Sequence, residues 1–345
     1  MAWRGVRGHD DLIRAFDEIV RCGRLAHAYL FTGPAGVGKR LFAGELAKAL
    51  LCEERGAALE ACDKCAACAL VGAGSHPDFF TAGRPEDAVE LPIEVVRELC
   101  RNLSLKPARG GRKVAILDDA DDLNDESANC FLKTLEEPPP GSVLMLVGTS
   151  AERQLSTIVS RCQVIRFAQL PEDLVAELLP SQGVDDEDMV RRLTRLSDGS
   201  LGQAQALADP PLWEFRRSLL EGLAGSPVDS VELARKWTRF TEEAGKEGGV
   251  QRRRAALVLR LLIDFLHDAL RVAVGDQPRR TEQEDLPLLE ELGKRVDERT
   301  LLDLLERCLE ADMQIDRRAQ LVLVIEALID ALGQTLNAGQ AEIAR

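Results

Sequence analysis

Aromatic side chains are scarce in this chain: three Trp, one Tyr and ten Phe make up 4% of its 345 residues. Its cores are therefore expected to be built from Leu, Ile, Val and Ala. Positive charge is in deficit too, since 58 Asp and Glu outnumber 44 Lys and Arg and leave a formal net charge of -14. That balance excludes a protein whose whole surface wraps nucleic acid, and leaves room for a local basic patch or a nucleic-acid-binding partner. No stretch reaches the roughly 18 consecutive apolar residues of a membrane span. The longest candidate, ALVLRLLIDFLHDAL, is broken by Arg260, Asp264, His267 and Asp268 and reads as an amphipathic helix. The opening MAWRGVRGHD has no apolar run behind its arginines, so no export signal and no membrane association are expected. Nine cysteines form an odd set without an export signal, which fits a reducing, cytoplasmic location better than a disulfide framework. No internal repeat is evident. With 45% hydrophobic and 30% charged residues, disorder is not expected.

The length implies two or three domains, because a single hydrophobic core stops growing well before this size. DLIRAFDEIVRCG places Leu12, Ile13, Phe16, Ile19 and Val20 at helical spacing, with Gly23 as a stop. A short strand, AYLF, runs into GPAGVGKR and then the helical LFAGELAKALLC. After a cysteine-rich excursion, HPDFF reads as a strand and PIEVVRELCRNLSLKP as a helix starting near Pro92. KVAILDD and SVLMLVGTS are apolar runs that end in polar residues, the mark of buried parallel strands whose C-terminal ends face a site. Between them lies the helix NDESANCFLKTLEE, stopped by PPPG. A helix around LSTIVSRC leads to a last strand, QVIRFAQL. Strands and helices thus alternate to about residue 168, which predicts an α/β domain with a parallel sheet flanked by helices. Beyond Pro171 only helices are expected: a compact unit of DLVAELL, DEDMVRRLTRLS and the turn DGSLGQAQALA, then long amphipathic helices from Pro211. The latter are interrupted at EEAGKEGG and over Gly275 to Leu286, and the last is expected over Arg317 to Leu332. Arg252-Arg253-Arg254 and Arg279-Arg280 read as solvated charges.

Gly33-Pro34-Ala35-Gly36-Val37-Gly38-Lys39 matches GxxxxGK between a predicted strand and helix, the context that gives the motif meaning. Backbone N–H groups and a helix N-terminus there can cradle phosphates, with Lys39 reaching the terminal ones. The next position is normally Ser or Thr, whose hydroxyl holds Mg²⁺. Here it is Arg40, which has no lone pair to offer. The acidic pair at the end of KVAILDD is Asp118-Asp119, and its second carboxylate is one methylene shorter than the usual Glu. A misplacement of about 1 Å can cost about 100-fold in rate. Both departures point to a loop that does not support hydrolysis and to a poor Mg²⁺ site. Binding of ATP, ADP or phosphate stays open, beside the reading of a relic loop kept for backbone packing.

Cys52, Cys62, Cys65 and Cys68 offer four thiolates with two overlapping CxxC steps, enough to close a tetrahedral Zn²⁺ site with no open position, and hence a structural one. An iron–sulfur cluster and plain buried or redox-active thiols are the alternatives. Cys22, Cys100, Cys130, Cys162 and Cys308 read as small hydrophobes. His9, His27 and His76 lack ligand spacing and are expected at structural positions on loop edges.

Taken together, GRLAHAYLFTGPAGVGK, the four cysteines, SHPDFF, KVAILDDADDLNDESANCFLKTLEEPPP and IVSRC resemble the bacterial DNA polymerase III clamp-loader family, a branch of the AAA+ ATPases. Arg40 and Asp118-Asp119 resemble its delta-prime branch more than gamma/tau. The resemblance covers about residues 9 to 168 specifically, is weaker over 170 to 210, and is general thereafter. It implies an AAA+ core over 1–168 with a zinc module at 52–68, a three-helix lid over 169–210 and a helical oligomerisation collar over 211–345. It further implies a stator in a five-subunit ring with gamma/tau and delta subunits, which loads a sliding clamp onto primer–template DNA. Ser160-Arg161-Cys162 matches the family's SRC motif, so Arg161 is implied to act in trans at a neighbour's ATP site. Thr149 and Ser150 fall at the sensor-1 position or cap the next helix. Gln203 stands where active relatives place a lid arginine, and Lys133, Glu136 and Glu137 are expected to set an interface or a helix stop. Two rivals remain: a divergent ATPase working in cis through Lys39, Asp118 and Asp119, and a purely structural scaffold.

Overall fold

In the computed structural model, which describes residues 3, 5–85, 88, 90–109 and 111–343 and side chains as far as Ala338, the chain forms two compact units, 1–205 and 206–345. Met1, Ala2 and Arg4 of the opening stretch lie outside the described residues. The first unit runs α1 (Asp10–Arg21), β1 (Ala28–Thr32), α2 (Lys39–Leu51), α3 (Ala66–Gly72), β2 (Phe79–Ala82), α4 (Ile93–Ser104), β3 (Lys113–Leu117), α5 (Asp125–Glu136), β4 (Ser142–Val147), α6 (Ser156–Val159) and β5 (Gln163–Arg166). It continues through α7 (Glu172–Leu178) and α8 (Glu187–Leu196) into α9 (Leu201–Leu207). The five strands lie in the order β2-β3-β4-β1-β5, and every pairing is parallel.

Side-chain alternation explains why the strands read as unbroken apolar runs. Tyr29 and Phe31, Val114 and Ile116, and Val143, Met145 and Val147 enter one core, together with Phe16, Phe42 and Leu46 from α1 and α2. Ala28 and Leu30, Ala115 and Leu117, and Leu144 and Leu146 enter the other, with Val96, Leu99, Phe131 and Leu135 from α4 and α5. Both faces are covered, so neither can tolerate polar alternation. The aliphatic core expected from composition is found on the second face, apart from Phe131, and not on the first. On the first, Trp3, Phe16, Tyr29, Phe31, Phe42 and Phe167 form a cluster with centroid separations such as 4.9 Å for Trp3–Phe42 and 5.2 Å for Phe31–Phe167. The few aromatics are concentrated where strand ends and the phosphate loop must be held.

The second unit is all helical: α10 (Pro210–Ala224), α11 (Ser230–Glu242), α12 (Gly248–Ala273), α13 (Leu286–Arg295), α14 (Glu298–Asp316) and α15 (Leu321–Ile343). α12 packs along α14 and α11 along α15. The last helix begins and ends later than expected, because Arg318 adopts a left-handed φ of 57° that turns the chain before Leu321. By length and composition its Leu321–Ala338 stretch could cross a membrane, yet it carries Glu326 and Asp330 and buries Val324, Ile325, Leu328, Ile329 and Leu332 as a core helix does. Within the arginine clusters Arg253 and Arg279 are exposed as expected, whereas Arg254 and Arg280 are tied in. Arg254 pairs with Asp209 at 2.9 Å, Arg280 with Asp264 at 2.8 Å, and the Asp268 carboxylate accepts from the Arg279, Arg280 and Thr281 backbone.

Candidate functional site

The C-terminal ends of β1, β3 and β4 meet at one edge of the sheet and surround a cavity of about 400 Å³. Gly36, Gly38, Lys39, Arg40, Asp118, Asp119, Asp121 and Thr149 all line it. Such an edge is where open parallel sheets bind ligands, since the strand ends leave a crevice and the following helices point their N-termini into it. Gly33 (φ 140°) and Gly38 (φ 101°) hold backbone angles that side-chain-bearing residues rarely adopt. A Cβ on Gly33 would also lie 2.3 Å from the Phe167 carbonyl oxygen. His9, buried at the start of α1, binds the Val37 carbonyl through Nε2 at 2.8 Å, so it serves the loop structurally as expected. His27 and His76 are likewise bound to backbone groups, at the Leu135 carbonyl and the Asp78 N–H.

Lys39 is buried and its Nζ donates to the carbonyls of Gly33 and Pro34, both at 2.6 Å. Burial pulls its pKa below the usual lysine value, against the opposing pull of Asp121 and Asp118. Arg40 answers the Mg²⁺ question directly. Its Nη1 donates to Asp118 Oδ2 at 2.6 Å, so a guanidinium engages the carboxylate that would take the metal. The residues present do not fit a bound Mg²⁺: one ligand has become a cation and the other is neutralised by it. Asp119 sits exposed in a left-handed conformation, φ 52°, at the start of a short turn.

Asp121 was not singled out from the sequence, and it organises this edge. Its Oδ2 accepts from both the Thr149 N–H at 2.7 Å and the Thr149 hydroxyl at 2.6 Å, while Oδ1 accepts from Gln154 Nε2 at 2.6 Å. Thr149 is thus fixed at the cavity wall by a carboxylate instead of capping the next helix. The only sequence signal was the surplus of acid in DDADD, where one carboxylate pair suffices for the motif.

The lid segment Gly199-Ser200-Leu201-Gly202 closes onto the phosphate loop. Ser200 Oγ donates to the Ala35 carbonyl at 2.7 Å and the Gly202 N–H to the Gly36 carbonyl at 3.1 Å. Leu201, Gly202 and Gln205 line the cavity, so Gln205, rather than Gln203, is the lid glutamine at the wall. The approach is possible because both chains carry glycine there: a Cβ on Gly202 would lie 2.8 Å from Gly36 Cα. Gly202→Ala is therefore expected to destabilise the first unit by about 1–3 kcal/mol, as overpacking does. Gly44→Ala, whose added Cβ meets nothing within 4 Å, is the control. It lies inside α2 and should stabilise by about 1 kcal/mol. Thermal unfolding of the two variants should therefore shift in opposite directions.

Arg161 follows the short α6. Its Nη1 donates to the Thr157 carbonyl at 3.0 Å and Ser160 Oγ at 3.2 Å, and its Nη2 to Glu136 Oε1 at 2.6 Å. The side chain stays 34% exposed. Cys162 beside it packs into the second core, and burial pushes its thiol up to about 12, so it is a packing residue. Cys308 is buried in the same way, whereas Cys22 is exposed at the end of α1 and does not serve as a small hydrophobe. Glu137 closes α5 through its N–H to the Lys133 carbonyl at 3.0 Å, ahead of the proline run.

Cys52, at the C-terminus of α2, meets Cys62, Cys65 and Cys68 with all four sulfurs within 4.8 Å of one another. The Cys52–Cys65 and Cys62–Cys68 separations are 3.9 and 4.0 Å. Metal–sulfur bonds of about 2.3 Å place tetrahedral thiolates about 3.8 Å apart, so the set is already near the geometry a metal ion requires. Backbone N–H groups of Cys62, Lys64, Cys65 and Cys68 point at these sulfurs at 3.2–3.4 Å. The module is fastened to the core at Leu59, whose carbonyl accepts from Trp3 Nε1 at 2.9 Å and whose N–H donates to Asp17 at 2.6 Å.

Residues 8–171 match the family model described as DNA polymerase III, delta subunit. Over 219 residues the chain is 41% identical to DNA polymerase III subunit delta' of Pseudomonas aeruginosa, covering 61% of this chain and 66% of that one. Against DNA polymerase III subunit delta' of Escherichia coli it is 35% identical over 214 residues, 61% of this chain and 64% of the relative. DNA polymerase III subunit tau of Salmonella typhimurium is 34% identical over 209 residues, 59% of this chain but 32% of the relative. The chain thus spans a little under two thirds of the two delta' relatives it matches.

Proposed function

From the match over residues 8–171 and the similarity to delta' subunits, we propose that the chain belongs to the bacterial DNA polymerase III clamp-loader subunits and works as a delta-prime-type stator in such an assembly. In this reading it hydrolyses little or no ATP itself and presents Arg161 to the nucleotide of a neighbouring gamma/tau subunit. With gamma/tau and delta partners it helps place a sliding clamp on primer–template DNA in the cytoplasm. The observation that carries the reading is the Arg40–Asp118 pair, which removes both halves of a metal site in cis, while Arg161 keeps a partly exposed guanidinium. Guanidinium groups stabilise charge on phosphoryl oxygens as it develops, and they do so when supplied by a neighbour. The four cysteines hold Zn²⁺ as a structural cross-link.

Two measurements test this. Reconstituted complexes with and without Arg161→Ala, at equal assembly, should differ sharply in clamp- and DNA-stimulated ATPase; equal rates would remove the trans role. In the isolated chain, equilibrium binding of ADP should be the same with Mg²⁺ or with a chelator. Arg40→Thr should make that binding tighten by about tenfold on adding Mg²⁺, the worth of one charge-assisted contact near 1.4 kcal/mol. Robust Mg²⁺-dependent hydrolysis by the wild-type chain would favour the cis ATPase instead.

A further inference from the structure

We infer that Glu136 is the positioning residue for Arg161, holding its guanidinium in the orientation in which it meets the neighbour's phosphoryl oxygens. The inference rests on the trans role proposed above and adds a residue to it. Glu136 is the last residue of α5, and the chain then turns through Glu137 into Pro138-Pro139-Pro140. Three prolines cannot continue the helix, so the place where the carboxylate emerges is set by the backbone. A carboxylate at a helix C-terminus faces the negative end of the helix dipole, an unfavourable location unless a cation answers it. Arg161 is that cation, brought from 25 residues away by the packing of α6 against α5.

The geometry around the guanidinium has the character of a mount. Ser160 Oγ donates to the Thr157 carbonyl at 3.1 Å, and both oxygens accept from Arg161 Nη1. Glu136 takes one hydrogen of Nη2. Of the five guanidinium donors, Nε–H and the second Nη2–H are left for an outside acceptor. Arginine side chains carry considerable rotamer entropy, which an unmounted finger would lose when it engages the phosphate. Stability does not explain the pair. With Glu136 50% and Arg161 34% exposed it belongs to the class of solvent-screened ion pairs that add little to stability.

The experiment compares wild type, Glu136→Ala, Glu136→Gln, Arg161→Ala and the Glu136→Ala/Arg161→Ala double variant in reconstituted complexes of verified equal assembly. Steady-state kcat and KM for ATP are read with clamp and primed DNA. Glu136→Ala should lower kcat at the neighbour's site about tenfold with KM within about twofold, the signature of an interaction made in the transition state. Glu136→Gln keeps an acceptor oxygen and should recover most of the rate. The double variant should match Arg161→Ala, because a mount has no effect without what it holds. Wild-type kcat in Glu136→Ala beside a large loss in Arg161→Ala would overturn the positioning role and leave the finger standing. A further loss in the double variant would overturn it as well. No loss in Arg161→Ala alone would take away the finger and the mount together.

Discussion

Arg161→Ala should reduce hydrolysis at the neighbouring subunit's site by about a thousandfold, the lower end of what an arginine finger supplies. The fraction of the complex's turnover that passes through that site should disappear, while binding of nucleotide there changes far less. Arg161→Lys separates charge from shape. An ammonium is a single point of charge and does not reproduce the planar fork, so only a partial recovery is expected. Both variants should fold, since the arginine is partly exposed and its bonds to Thr157, Ser160 and Glu136 lie at the surface. Stimulated ATPase is the readout, with assembly followed by sizing. A rate unchanged from wild type would leave a scaffold, or an unexpected cis ATPase, as the surviving accounts.

If the four thiols hold zinc as proposed, losing that metal should have the largest effect on stability. Four-thiolate zinc sites contribute on the order of 10 kcal/mol of apparent binding free energy that is coupled to folding. Cys65→Ser should therefore abolish stoichiometric zinc in the purified chain, measured by elemental analysis. It should also raise amide exchange across residues 53–74 while the strands stay protected. The Trp3 environment should change with it, because the indole N–H is bound to the Leu59 carbonyl inside the module. Trp213 and Trp237 lie in the second unit and should report nothing. Cys22→Ser, at an exposed thiol, is the control. A Cys65→Ser chain with unaltered metal content and exchange would mean that these thiols are packing groups.

Reading the sequence went furthest where chemistry is local. GxxxxGK between a strand and a helix requires backbone angles that only glycine supplies cheaply, and Gly33, Gly36 and Gly38 take them. The CxxC steps put three thiols within one short excursion, and the fourth needed only a helix end nearby. Apolar runs ending in polar residues gave the strands, because a sheet covered on both faces cannot alternate. Reading failed where the partner of a residue lies far along the chain. Asp121 looked like one acid among four, and nothing local says that it alone reaches Thr149 and Gln154. Arg254 and Arg280 looked solvated because their carboxylate partners, Asp209 and Asp264, lie 45 and 16 residues away.

Arg40 shows where the two sources of information divide. Its presence after Lys39 already denies the metal a hydroxyl, since guanidinium has no lone pair, and that much follows from residue identity. Its bond to Asp118, 78 residues on, exists because β1 and β3 end at the same edge of a parallel sheet. Arg161 divides in the same way: the motif names it, and the packing of α5 against α6 hands it Glu136. Sequence by itself determined the kinds of chemistry available, through backbone angles, ligand atoms and charges carried by single residues. Tertiary structure alone decided which of those groups meet, because hydrogen bonds and ion pairs act over about 3 Å and only folding brings distant residues that close.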